Sequence, residues 1–120
     1  MIKILHSADW HLDAPLRSFT PEQAAWLRRL QLQLPRRIVE VCRQEGCDLM
    51  LLSGDLFDGP WTPEGVDAVR YALADAGVPV LIAPGNHDYH WEKGPWNRVQ
   101  WPENVHIFRQ EFNNSICMLH

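Results

Sequence analysis

Long apolar runs are missing from this sequence. None approaches the ~20 consecutive apolar residues of a membrane-spanning helix. Met1 to Asp9 carries no apolar core of a secretory signal. The expectation is a soluble, cytoplasmic protein with no membrane association. An excess of basic charge is also missing: 11 Lys and Arg face 15 Asp and Glu, a net charge of −4. That excludes a surface coated with phosphate-binding charge, though a single basic patch stays open. Two bound divalent cations would cancel −4 formally. Cysteine is scarce. Cys42, Cys47 and Cys117 make an odd number with no Cys-x-x-Cys pair, which argues against a disulfide scaffold or a thiolate zinc site. Buried free thiols in a reducing compartment are expected. Internal repeats, low-complexity tracts and linkers are lacking as well. Residues 1–120 read as one unit, and a hydrophobic fraction of 46% suffices for a core.

What is present alternates. Ile2 to His6 reads as a short strand, followed by a loop from Ser7 to Ser18. Thr20-Pro21-Glu22-Gln23 is a helix start: Thr20 caps, Pro21 suits the first turn, and Gln23 completes a capping box. Leu27, Leu30, Leu34, Ile38 and Val41 then recur at helical spacing. Pro35 interrupts them, so either a kink or a second helix is expected there, ending at Gly46. Asp48 to Ser53 is a second strand, apolar as when both faces are covered. Thr62-Pro63-Glu64 opens another helix, with Val66, Val69, Leu73 and Ala76 as its buried stripe and Gly77 as its stop. Pro79 to Ala83 is a third strand, Pro84 to Asn104 a long aromatic loop, and Val105 to Phe108 a fourth strand. Gln110 to His120 gives only a weak pattern. The order β-α-β-α-β-loop-β predicts an α/β fold with a mainly parallel sheet and right-handed crossovers.

In such a sheet the carboxyl ends of the strands share one edge. Asp9-Trp10-His11 follows the first strand, Gly54-Asp55-Leu56-Phe57-Asp58 the second, and Gly85-Asn86-His87-Asp88 the third. Alone, an Asp-x-His is mostly a surface loop and a Gly-Asn pair an ordinary turn. Three such stretches in order, each at a strand end, point to a site. In extended backbone, residues i and i+2 point the same way, so Asp9 and His11 are expected to grip one metal together. Asp55, next to a glycine, suits a bridge between two cations, and Asn86 offers an amide oxygen to the second. Carboxylate, imidazole and amide ligands suit Mn, Fe or Zn better than a thiolate-selective site would. Paired ions ~3.5–4 Å apart activate water and clamp a phosphoryl group. His87 is then free for the transition state, as proton donor or cation. Asp58 is placed to hold its tautomer.

These three stretches resemble the first three motifs of the calcineurin-like metallophosphoesterases. The wider context, His6 to Pro15 with Gly-Asp-Leu-Phe-Asp, is similar to the DNA-repair exonuclease branch (Mre11/SbcD-like). Protein phosphatases of the superfamily carry Glu after the motif histidine and Arg-Gly after the second Asp, where this chain has Asp88 and Gly59-Pro60. The resemblance runs from Ile2 to Phe108. It implies that Asp9, His11 and Asp55 bind one metal and that Asp55 and Asn86 bind a second. His87 is then catalytic with Asp58 in support. The implied ions are two divalent metals, Mn first with Mg, Fe or Zn as alternatives. The implied reaction is hydrolysis of a phosphodiester, with DNA as substrate. A small-nucleotide phosphodiesterase and a non-catalytic fragment that assembles with a partner are the competing readings.

The family completes its site with three further histidines, one isolated and two in Gly-His-x-His. His90, His106 and His120 sit in no such motif. The family domain is an αββα sandwich, and this chain reads as its amino-terminal half: one sheet and its helices. Two expectations follow. Metal affinity is weak, because the second ion has only Asp55 and Asn86. The sheet face left for the other half is apolar and associates with that half, a partner protein or a second copy. Of the six tryptophans, Trp61, Trp91, Trp96 and Trp101 fall in loops on or after the motif-bearing rim. They form either a base-stacking platform or, as favoured, a cluster that pins the loop. Arg28-Arg29 and Arg36-Arg37 read as a solvated helix face rather than a phosphate stripe, and His6 as a satisfied core histidine.

Overall fold

Thr20 begins the first helix with a reciprocal cap. Its hydroxyl accepts from the Gln23 amide at 3.2 Å, and the Gln23 side chain accepts from the Thr20 amide at 3.1 Å. Thr62 caps the second by accepting from the Gly65 amide at 3.0 Å. The computed structural model describes residues 1–12, 16–54, 56–57, 61–84 and 95–108. Its elements are β1 (Ile4–Ala8), α1 (Pro21–Gln44), β2 (Leu49–Ser53), α2 (Pro63–Ala74), β3 (Val80–Ala83), α3 (Pro95–Arg98) and β4 (Val105–Ile107).

The sheet order is β1-β2-β3-β4, with every neighbouring pair parallel. The two crossovers step in the same direction, so their right-handedness places α1 and α2 on one face, where they pack on each other. Register then sorts the strand residues. Leu5, Met50, Val80 and Val105 form one row facing the helices, and Ser7, Leu52, Ile82 and Ile107 the next. Met50, Leu52, Val80 and Ile82 are wholly buried there, against Val39 and Cys42 of α1 and Val66, Val69 and Leu73 of α2. The intervening rows turn to the other face: Ile4 with Leu49, His6 with Leu51, Leu81 and His106, and Ala8 with Ser53 and Ala83. None of these reaches full burial, and Ile4 and His6 are exposed.

Several expectations shift. β1 starts at Ile4 and runs to Ala8, because its limits follow its pairing with β2, from Ile4–Leu49 to Ala8–Ser53. β2 and β3 each begin one residue later than expected. β4 closes at Ile107, although the Phe108 amide still donates to Ile82 at 2.8 Å. α1 runs unbroken through Pro35, so the second-helix alternative falls. Pro35 lacks an amide hydrogen and is itself buried; packing, not local preference, carries the helix past it. The buried stripe of α1 is Pro35, Val39 and Cys42, whereas Leu30 and Val41 are exposed. Val66, Val69 and Leu73 of the expected α2 stripe are buried, and Ala76 is buried just beyond the helix, which ends at Ala74.

Within the stretch expected to be loop lies α3. Trp96 is buried there at 1% exposure. Its ring centroid lies 5.5 Å from that of Phe57 and 4.9 Å from that of Trp101. The Trp101 indole donates to the Pro95 carbonyl at 3.1 Å. Trp96 and Trp101 therefore pin this segment to the core and offer no open stacking platform. Trp61 is half-buried against the same core, and Trp91 lies outside the described residues.

Candidate metal centre

The carboxyl edge is tied together one residue beyond the strands. The Asp9 amide donates to the Gly54 carbonyl at 3.0 Å, and the Gly54 amide donates to the Ala83 carbonyl at 2.8 Å. One chain of hydrogen bonds thus joins the ends of β1, β2 and β3. Gly54 has φ +74°, a left-handed conformation that costs a side-chain-bearing residue ~1–2 kcal/mol. Leu12 continues the link: its amide donates to the Leu56 carbonyl at 2.8 Å, and it bridges Phe57.

Between these anchors, Asp9 and His11 take φ of 57° and 50°. This corrects the extended backbone expected for them. Asp and His tolerate the left-handed region better than most residues, yet two such positions in three are costly, about 1–3 kcal/mol each. Their neighbours hold them. Trp10 is buried and its indole donates to the Ser7 hydroxyl at 2.8 Å; Leu12 is buried at 1%. Burial therefore alternates: Asp9 is exposed, Trp10 buried, His11 half-buried, Leu12 buried. The apolar residues anchor the turn, and the two residues that carry donors lie nearer solvent. The Trp10-x-Leu12 alternation was the sequence signal for this; the left-handed turn had none.

Asp55, Asp58, Asn86 and His87 lie outside the described residues. Among the described residues, no group of three or more His, Cys, Asp or Glu side chains stands close enough to hold a metal. Asp9 and His11 are the described part of the expected site. A carboxylate and an imidazole, with no thiolate beside them among the described residues, fit a divalent ion of the Mn, Fe or Zn kind.

Two other expectations resolve here. His6 is satisfied, its Nε2 lying 2.6 Å from the Ser53 hydroxyl, but it is exposed on the sheet face away from the helices and is not a core residue. Arg36 pairs with Asp75 at 2.7 Å, and Arg28 donates to Gln31 at 3.2 Å. Arg36 thus ties α1 to the end of α2, which does not favour a phosphate stripe.

A parallel α/β sheet with a carboxylate and an imidazole at its carboxyl edge defines the class: an α/β protein of the kind in which ligands ordinarily bind outside the strand ends. Residues 2–117 match the calcineurin-like phosphoesterase family, and the chain belongs to it. Members of this family use divalent metals. The chain is 34% identical over 116 residues to the metallophosphoesterase YhaO of Bacillus subtilis, covering 89% of this chain and 28% of that protein. It is 39% identical over 93 residues to the DNA double-strand break repair protein Mre11 of Aeropyrum pernix, covering 73% and 21%. It is 35% identical over 94 residues to a subunit of the nuclease SbcCD of Bacillus subtilis, covering 72% and 22%. The chain therefore spans roughly a quarter of the length of these relatives. No described helix is long and apolar enough to cross a membrane.

Proposed function

We propose that residues 1–120 are the amino-terminal part of a dinuclear metal phosphodiesterase domain that acts on DNA. In this reading Asp9, His11 and Asp55 hold one ion, and Asp55 and Asn86 hold the second. His87 donates a proton or stabilises charge, and Asp58 orients it. The ions, Mn in the first instance, supply charge neutralisation and water activation when bound. The observation that carries the reading is the hydrogen-bonded edge: Asp9 to Gly54 to Ala83 ties together the strand ends from which all three motifs depart. DNA as substrate and a role in repair rest on the names of the nuclease and Mre11 relatives. The buried Trp96 adds nothing to them.

A specific observation favours a second reading for the chain by itself: it spans only 21–28% of its relatives. In that reading the chain alone is silent and assembles with the sequence that follows it in the relatives.

Mn-dependent cleavage of an aryl phosphodiester and of DNA tests both. The chain is assayed alone, then with the downstream segment of a nuclease relative, each with and without His87→Ala. Silence alone with activity on addition, abolished by His87→Ala, is the expected outcome. Silence in every arm overturns the catalytic reading. In a parallel titration, two tight Mn sites on the chain alone would contradict the incomplete second site.

A further inference from the structure

The carboxyl end of α1 closes in a paired hydrogen-bond motif. The Gly46 amide donates to the Arg43 carbonyl at 3.2 Å, and the Cys47 amide to the Cys42 carbonyl at 3.0 Å. Gly46 sits between them at φ 64°. This is the Schellman arrangement, and it brings the side chain three residues inside the helix end against the one two residues beyond it. That contact is ordinarily made by two apolar side chains. Here both are cysteine. The Cys42 side chain is buried at 1% in the core, and Cys47 is half-buried and packed against that core. Both are free. Neither has any part in the metal centre, which lies at the opposite ends of the strands.

We propose that Cys42 and Cys47 form a dithiol–disulfide site that exchanges with small-molecule disulfides. Cys47, the more accessible, attacks first: its thiolate bonds to one sulfur of the disulfide and expels the other as a thiolate. Cys42 then loses its proton and attacks Cys47 Sγ, expelling the second small thiol. The two protein thiols give up two electrons and two protons, and the small disulfide is reduced to two thiols. Burial, with Cys47 alongside, pushes the Cys42 thiol above its ordinary range, which suits the resolving role. The product bond joins the end of α1 to Cys47, two residues ahead of β2, and the intervening Asp48 amide is already held by the Lys3 carbonyl at 2.7 Å.

The 120-residue chain is incubated with oxidised glutathione, acid-quenched and digested with trypsin without reduction. Trypsin cuts after Arg43, between the two cysteines. A peptide ending at Arg43 linked to one beginning at Gln44, lighter by two hydrogens than their sum, is the expected product. It forms faster in the native chain than in urea, because the helix end brings the thiols together. Cys42→Ser leaves Cys47 as a stable glutathione adduct, while Cys47→Ser leaves buried Cys42 unmodified. Only separate glutathione adducts in the parent chain, or linkage no faster folded than in urea, overturns the proposal. Those two arms stand even if a serine variant fails to fold.

Discussion

The two faces of the sheet differ more than their sequences do. Met50, Leu52, Val80 and Ile82 are fully buried under the helices. Leu51 and Leu81, their immediate neighbours, point the other way and are only half-buried. The central strands β2 and β3 are largely apolar on both sides, as in sheets covered twice, yet the described helices cover one side. The lesson is that a strand's composition reports the assembly it was selected for, while its burial reports the partners it has in this chain.

That comparison can be broken most forcefully from inside. Leu52→Ala is expected to cost ~2–5 kcal/mol, as core truncations do, read as a fall in the urea midpoint. Leu51→Asn, one residue away on the other face, is expected to cost less of the chain's own stability. It should instead lower self-association or assembly with the downstream segment, measured by light scattering against concentration. If the parent chain is a clean monomer at high concentration, the association expected of this face is wrong. Equal stability losses for the two variants would erase the distinction between the faces.

At the edge where the faces meet, Gly54→Ala finds open space around the added carbon but keeps φ +74°. The expected loss is ~1–2 kcal/mol from backbone strain alone, checked by denaturation, together with weakened Mn binding at the adjacent motif. Smallest of all is Arg36→Ala. The Arg36–Asp75 pair is 46% and 59% exposed, and such pairs contribute ~0.2–1 kcal/mol or less and fade with salt. A double-mutant cycle with Asp75→Ala at two ionic strengths reads it.

Legibility followed locality. The Thr20 and Thr62 caps and the stop at Gly46 use residues within a turn of each other and fell where the sequence placed them, whereas α2 ends at Ala74, ahead of the stop expected at Gly77. The α2 stripe was readable because the branched aliphatic residues of that helix, Val66, Val69 and Leu73, all face the core. α1 misled because its apolar residues wrap round the helix. Only contact with the sheet and α2 decides that Val39 and Cys42 go in while Leu30 and Val41 stay out. The limits of β1 depend on a strand more than forty residues later, and short-range pattern cannot supply them. At the candidate centre, the residue types and their strand-end positions were legible at Asp9 and His11. The left-handed turn that presents them was not, since it arises from the Trp10, Leu12 and Gly54 anchors.

The sheet order has a consequence for how the chain is made. Strands lie side by side in the sequence in which a ribosome releases them. Each newly emerged strand can dock on the exposed flank of the one before it, and none of the described strands has to be threaded between two already joined. The edge bearing the candidate motifs is therefore laid down in order, Asp9 first, and grows outward from it.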